Sequence, residues 1–94
     1  MGSSAGNSNW EVVEYASEGG SHKALLRTFT FDDFAGALAF VNSVGALAEE
    51  YNHHPDIALS WGRVKVWLST HSERGITDKD YVLARAIDDA TSSY

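Results

Sequence analysis

The chain has 94 residues, 44% of them hydrophobic and 21% charged, which leaves room for one domain with one core and excludes wholesale disorder. It has no cysteine, so a disulfide framework and a thiolate metal site are excluded, and oligomerisation is the expected source of extra stability. The net charge is −6, the basic residues are scattered singly, and no apolar run has the length of a membrane span. These features argue against direct nucleic-acid binding and against a membrane protein.

The first predicted elements are two strands joined by a turn. Residues 1–9 are rich in Gly, Ser and Asn and are expected to be flexible, whereas residues 10–94 are expected to form the single domain. Residues 10–15 and 24–30 have strand composition, and the glycine-containing segment 18–21 predicts a hairpin between them. His22 follows this polar turn and is expected to be an exposed loop histidine. The segment before Trp10 lacks the features of a signal peptide, so we expect a cytoplasmic protein.

A long helix is predicted after the second strand. Thr30 can cap its start, since Asp33 three residues later completes a capping box. Apolar residues then recur at helical spacing and predict a wide buried face. The helix is expected to end near residues 52–53, because Pro55 keeps the residue before it out of the helical conformation.

The second half of the chain predicts another hairpin and another helix. Residues 57–61 and 64–70 have strand composition, with residues 62–63 as the turn between them. Thr77 and Asp80 repeat the helix-start signal and predict a final helix. The resulting order, β-β-α-β-β-α, predicts an α+β fold: a four-stranded antiparallel sheet with helices packed on one face.

Two adjacent histidines at the predicted end of the first helix are candidates for chemistry. His53 lies four residues after Glu49, so the two side chains share a helix face and the carboxylate can favour the charged imidazole. His53 is therefore a candidate general acid or base, or alternatively a surface residue paired with Glu49. His54 precedes Pro55 and leaves the helix in another direction, toward a pocket wall or, alternatively, into a solvated loop.

A third histidine and an aspartate complete the candidate set. His71 ends the strongest predicted strand, and it would face His53 and His54 if the hairpin brings the strand end beside the helix terminus; otherwise it is a surface residue. Capping alone explains Asp80. A zinc site from three histidines is the obvious rival, but the spacing does not match zinc enzymes whose two histidines lie one helical turn apart.

The combination of these residues resembles the signature of the pterin-4a-carbinolamine dehydratases. The resemblance runs from about residue 10 to residue 87, and the residues that carry it are Glu49, His53, His54, Pro55, Trp61, Thr70, His71 and Asp80, with Trp10 and the segments 26–34 and 75–77 around them. It implies the α+β fold already predicted. It also implies a hydro-lyase that converts 4a-hydroxytetrahydropterin to the quinonoid dihydropterin in pterin recycling, with neither metal nor bound cofactor, and that forms a homodimer or homotetramer.

The resemblance further implies roles for the site residues. His53, tuned by Glu49, and His71 would be the acid and the base, in either order, and Asp80 would orient one of the histidines through a hydrogen bond. The residues expected to contact the pterin are His54, Pro55, Thr70 and Trp10. Lys79 departs from the pattern, because relatives often have arginine there and lysine cannot make a bidentate contact with an anion.

Two other functions stay open at this point. A chain with this fold can be a non-catalytic protein-binding module of the transcriptional coactivator or dimerisation-cofactor type, for which the nucleus is an alternative location. A metal-dependent hydrolase would be sensitive to chelators. The complete histidine set favours the dehydratase, since a scaffold gains nothing obvious from three convergent imidazoles.

Overall fold

The computed structural model describes residues 9–17 and 19–91, and it has the element order that the sequence predicts. The elements are β1 (Glu11–Ser17), β2 (Gly20–Thr30), α1 (Phe34–Tyr51), β3 (Asp56–Ser60), β4 (Arg63–Leu68), a 3-10 helix (His71–Glu73) and α2 (Asp78–Thr91). The four strands form one antiparallel sheet in the order β1-β2-β4-β3. The predicted α+β fold is thus confirmed. The flexibility expected for residues 1–9 concerns a segment outside the described residues, apart from Asn9.

The two faces of the sheet differ in what covers them. Leu25 and Phe29 of β2 lie opposite Leu68 and Val64 of β4, and all four are buried in the core with residues of both helices. Successive strand residues point to opposite faces, so their neighbours point away from the helices. We call this second surface the open face; its residues used below are Tyr15, His22, Asp56, Trp67 and Ser69.

Helix α1 buries a stripe of small and large side chains at helical spacing: Ala37, Phe40, Val44 and Ala48. The ring of Phe40 lies 4.5 Å from that of Phe29, between ring centroids, and has no solvent exposure. Leu83 and Ile87 of α2 are equally buried and join the same cluster. Both helices therefore cover one face of the sheet, as the sequence predicts.

The start of α1 corrects the prediction of a Thr30 cap. The helix begins at Phe34, and its N-cap is Asp33, whose Oδ1 accepts a hydrogen bond from the backbone N–H of Gly36 at 2.8 Å. Thr30 instead pairs with Arg63 as the last residue of β2. An aspartate can cap a helix without a partner, so strand pairing determined which of the two polar residues starts the helix.

The end of α1 lies where Pro55 predicts it. Asn52 is the C-cap and adopts the left-handed conformation, with φ of 52°, which asparagine tolerates better than most residues. The backbone N–H of the following residue, His53, donates to the carbonyl of Ala48 at 3.1 Å. The chain direction at His53 is thereby set by the helix end itself.

The first hairpin is longer than predicted, and this overturns the expectation for His22. Pairing continues to Ser17 opposite Gly20, and the turn uses positive φ at Gly19 (86°) and Gly20 (116°), which glycine allows without strain. His22 consequently lies inside β2 opposite Tyr15 and is only 7% exposed. It is a buried strand residue, not an exposed loop histidine.

The second hairpin and α2 follow the prediction closely, with strand bounds shifted by one or two residues. The start signal of α2 is confirmed, since the backbone N–H of Thr77 donates to Oδ2 of Asp80 at 2.8 Å. Within the described part of the chain, no helix has the length and apolar character needed to cross a membrane.

Candidate active site

The centre of the site is a histidine–aspartate pair that joins the end of α1 to the start of α2. Nε2 of His53 lies 2.6 Å from Oδ1 of Asp80. The Asp80 side chain has no solvent exposure, and that of His53 is 13% exposed. Because a carboxylate can only accept, the imidazole carries its proton on Nε2, and Nδ1 is the nitrogen left for other chemistry.

The buried carboxylate of Asp80 is satisfied by donors on both oxygens. Oδ2 accepts from the hydroxyl of Thr70 at 2.9 Å and from the backbone N–H of Thr77. The Thr70 and Thr77 hydroxyl oxygens are 2.6 Å apart, so Thr77 donates to Thr70 in turn. Asp80 also lies in the first turn of α2, where the helix dipole favours negative charge. This network fixes the carboxylate, and through it the ring of His53.

Two cavities flank the first turn of α2 and share Asp78 and Lys79 in their walls. The cavity of about 210 Å³ is lined by Tyr51, His53 and Val82 in addition. The cavity of about 310 Å³ reaches Thr70 and the loop after it. A larger cavity, of about 440 Å³, lies along β2 from Arg27 to Phe31 and contains none of the candidate histidines. The position of His53 therefore makes the first cavity the candidate substrate pocket.

The predicted pairing of Glu49 with His53 is wrong. Oε2 of Glu49 lies 2.6 Å from Nε2 of His54 instead, and both side chains are exposed, 79% and 58% respectively. The His53 side chain contacts α2 through Asp80, and the Glu49 carboxylate pairs with His54. The hydrogen bond expected between Asp80 and one histidine is present, and its partner is His53.

His71 sits apart from this pair. It is exposed, it begins the 3-10 helix, and its ring contacts the ring of His22 edge to face, with centroids 5.8 Å apart. Its chain neighbour Thr70 hydrogen-bonds Asp80, so the backbone beside His71 is tied to the same carboxylate as His53. Among the described residues, no hydrogen bond or ring contact joins His71 to His53 or His54. The structure thus connects His53, through Asp80, to the residue before His71 without bringing the three imidazoles into contact.

The remaining predicted pterin contacts are divided between this end of the molecule and the core. Pro55 is half-buried directly after His54, and Thr70 is buried in the Asp80 network. Trp10 is 8% exposed, packs edge to face on Phe29, and donates its indole N–H to Asp88 at 2.9 Å. Asp88 follows Asp80 by two turns of α2, about 12 Å along the axis. The contacts of Trp10 therefore place it in the core, away from His53.

Sequence reasoning missed a polar and aromatic group on the open face. Tyr15 stacks on Trp67 with ring centroids 5.5 Å apart, and its hydroxyl donates to Asp56. Burial raises the pKa of Tyr15 to about 12, and the hydrogen bond and negative charge of Asp56 add to the effect. Trp67 lies on this face by alternation along β4, but its partners from β1 and β3 depend on strand register, which cannot be derived from one short segment.

The described residues contain no group of three histidine, aspartate or glutamate side chains arranged to share a metal ion. At the wall of the cavity beside His53, Asp78 supplies a carboxylate and Lys79 a cation.

Comparison with known proteins identifies the family. The family model described as pterin 4 alpha carbinolamine dehydratase matches residues 3–90. The chain belongs to this family of hydro-lyases. A relative from Rubrobacter xylanophilus, named for pterin-4-alpha-carbinolamine dehydratase, is 47% identical over 79 residues, which cover 84% of this chain and 67% of the relative.

Two solved structures share the fold. A protein of Brucella melitensis described as a transcriptional coactivator/pterin dehydratase has a TM-score of 0.72 and 34% identity, over 86% of this chain and 80% of its own. A pterin dehydratase-like protein described as a RuBisCO assembly factor in the alpha-carboxysome has a TM-score of 0.67 over 87% of this chain and 88% of its own. Its identity of 23% supports likeness of fold alone.

Proposed function

We propose that this chain dehydrates a 4a-hydroxytetrahydropterin to the quinonoid dihydropterin. The observation that carries the proposal is the His53–Asp80 pair, a nearly buried imidazole held by a fully buried carboxylate at the wall of a cavity. Membership of the dehydratase family gives the substrate class.

The reaction needs an acid and a base and nothing else. The bond between C4a and the hydroxyl oxygen breaks as the oxygen takes a proton, and water leaves. The N5–H bond breaks as a base takes that proton, and the electron pair forms the double bond between C4a and N5. No electron is transferred to or from the substrate, and imidazole is suited to both proton transfers near neutral pH.

His53 is assigned one of these transfers. The hydrogen bond from its Nε2 to Asp80 fixes the tautomer and the ring orientation, as an aspartate does for the histidine of a serine protease triad. Nδ1 is then the atom that exchanges a proton with the substrate. Tyr51 and Val82 supply apolar walls for a flat ring, and Lys79 is the cation at its edge.

His71 is assigned the second transfer, and His54 contact with the pterin. Both side chains are exposed and therefore accessible to a ligand. The assignment of acid and base between His53 and His71 can be either way round. Glu49, as the partner of His54, supports pterin contact and not proton transfer.

One assay tests the proposal. The 4a-carbinolamine is generated by an aromatic amino acid hydroxylase, and its dehydration is followed with wild type, His53→Ala, His71→Ala and the control Glu50→Gln, each with and without EDTA. We expect acceleration by wild type and Glu50→Gln that EDTA leaves unchanged, and a loss of roughly 10²-fold or more in both histidine variants. Folded wild-type protein that gives no acceleration would contradict the proposal and favour the protein-binding module.

We also propose that the chain forms a homodimer or homotetramer. Phe34 and Leu38 lie one turn apart on α1 and are 44% and 41% exposed, although both are large and apolar. A small domain gains stability by covering such a patch. The acidic surface of the chain suits a protein partner better than a nucleic acid.

A further inference from the structure

We propose that His22 is a positioning residue for His71, so that the β1–β2 hairpin forms part of the catalytic apparatus. The inference rests on the proposed function, in which His71 carries one of the two proton transfers. The role of His22 is to hold an exposed imidazole in one orientation; His22 itself does not touch the substrate.

His22 contacts three residues on the open face, and two of them, Ser69 and Tyr15, anchor it. Its Nε2 lies 3.1 Å from the hydroxyl oxygen of Ser69, and both residues are buried, at 7% and 6% exposed. Its ring meets that of Tyr15 edge to face, with centroids 6.0 Å apart. The ring of His71 meets it at an angle of 69° and a centroid distance of 5.8 Å. A buried, anchored ring thus supports an exposed one.

His71 depends on such support because its own element is short. The 3-10 helix has three residues, and its hydrogen bonds are those from Glu73 N–H to Thr70 O, at 3.0 Å, and from Arg74 N–H to His71 O, at 3.1 Å. These bonds fix the backbone and not the side-chain torsions. Proton transfer requires a reacting nitrogen within hydrogen-bond reach of the substrate, and small misplacements are costly.

A second contact ties the same segment to the hairpin. Nη2 of Arg74 donates to the carbonyl of Gly19 at 2.8 Å, and Arg74 adopts the left-handed conformation with φ of 53°. The segment that carries His71 is therefore attached to the hairpin at both of its ends, by a ring contact and by a hydrogen bond. Among the described residues, the titratable and charged groups around His22 include Tyr15 with its partner Asp56, His71, and Arg74 near the turn.

The experiment separates the ring of His22 from its hydrogen bond. His22→Phe keeps an aromatic ring against His71, and His22→Gln keeps a polar group for Ser69 but removes the ring. Lys23→Gln, on the opposite side of the same strand, is the control. Dehydratase kcat and KM are measured for each variant, and the ring resonances of His71 are followed by two-dimensional NMR on samples with a native backbone spectrum.

We expect His22→Gln to lower kcat by roughly tenfold to a hundredfold with KM changed less than about twofold, and to move the His71 ring resonances. His22→Phe and Lys23→Gln keep most of the wild-type kcat. Equal kcat in His22→Gln and wild type, or an equal loss in His22→Phe and His22→Gln, overturns the proposal.

Two further measurements keep the test decisive. If His22→Gln does not fold, His22→Asn, which also removes the ring and keeps a polar group, takes its place and is expected to lower kcat several-fold; a wild-type kcat there counts against the proposal. If wild type itself lacks dehydratase activity, the proposed function fails. The His71 resonances of His22→Gln then still decide whether His22 holds that ring.

Discussion

Nε2 of His53 and Oδ1 of Asp80 lie 2.6 Å apart, although the two residues are separated by 27 positions in the chain. One follows the last turn of α1 and the other sits in the first turn of α2. Their distance is therefore controlled by how the two helices pack on the sheet, through buried residues such as Val44 and Leu83. A change that shifts either helix changes the geometry of the proposed proton transfer.

The first prediction concerns Asp80→Asn. The amide cannot accept from His53, Thr70 and Thr77 as the carboxylate does, so the preferred tautomer of His53 is lost. We expect kcat for dehydration to fall by about 10²- to 10⁴-fold and the free energy of unfolding to fall by roughly 2 kcal/mol. Kinetics and urea denaturation measure the two effects separately.

Asp32→Asn is the matched control for that substitution, because Asp32 is exposed and its replacement by asparagine removes the same charge. It is expected to leave both quantities close to wild type. A folded Asp80→Asn protein with wild-type kcat would show that the pair is structural and that another residue transfers the proton.

The second prediction concerns Glu49→Gln. Since Glu49 pairs with His54 and both side chains are exposed, the ion pair contributes little to stability, within about 1 kcal/mol. We expect a raised KM, a nearly unchanged kcat, and movement of the His54 ring resonances but not of those of His53. Glu50→Gln is the neighbouring control. Displaced His53 resonances in Glu49→Gln would restore the pairing that helical spacing suggests.

Most of the fold can be predicted from the sequence, because the signals that define its helices and strands are local. Pro55 ends α1, Thr77 and Asp80 start α2, and strand composition with turn residues marks both hairpins. Each of these depends on residues within a few positions of one another. The order β-β-α-β-β-α and the burial of α1 follow from them, and the structure confirms both.

The site was less predictable because its contacts cross between elements. Spacing within α1 suggested Glu49 as the partner of His53, but the partner comes from α2. His22 looked exposed because a polar turn precedes it, yet strand pairing continues past it to Gly20. Register and helix packing decide such contacts, and neither can be derived from one short segment.

The third prediction concerns stability at alkaline pH. The pKa of Tyr15 lies at about 12 in the folded chain against an ordinary value of 10.0. Below pH 10 the Tyr15 phenol is protonated in the folded and in the unfolded chain. Between pH 10 and about 12 the unfolded chain releases this proton, whereas the folded chain retains it. The free energy of unfolding therefore falls as pH rises from 10 to about 12. Urea midpoints across this window measure the effect.

Tyr15→Phe removes this titration and is expected to lose less stability over the same window. Asp56→Asn removes the negative charge and leaves only a weaker amide acceptor, so tyrosinate absorbance is expected to show Tyr15 titrating at lower pH than in wild type. Identical pH profiles for wild type and Tyr15→Phe would contradict the hydrogen-bonded placement of the phenol.

The fourth prediction concerns the turn between β3 and β4. A Cβ added to Gly62 would lie 2.8 Å from the backbone oxygen of Phe31, whose N–H donates to the Gly62 carbonyl. Relieving this contact requires a shift of backbone atoms, which costs more free energy than the movement of a flexible side chain. Gly62→Ala is therefore expected to destabilise the chain by about 1–3 kcal/mol. Gly75→Ala is the control, since its Cβ would meet an atom only at 3.9 Å. Thermal denaturation that ranks the two variants equally would refute the close approach.

The last prediction concerns self-association through α1. Leu38→Glu places a charge in the exposed apolar patch formed with Phe34, and we expect the particle mass measured by light scattering to fall to that of the monomer. Ala46→Glu adds the same charge on α1, about 80° around the helix from Leu38, and is expected to leave the mass unchanged. Because the His53–Asp80 pair lies within one chain, monomeric Leu38→Glu should keep its fold by NMR and retain dehydratase activity. A wild-type protein that is monomeric at micromolar concentration would show that this patch is not a self-association surface.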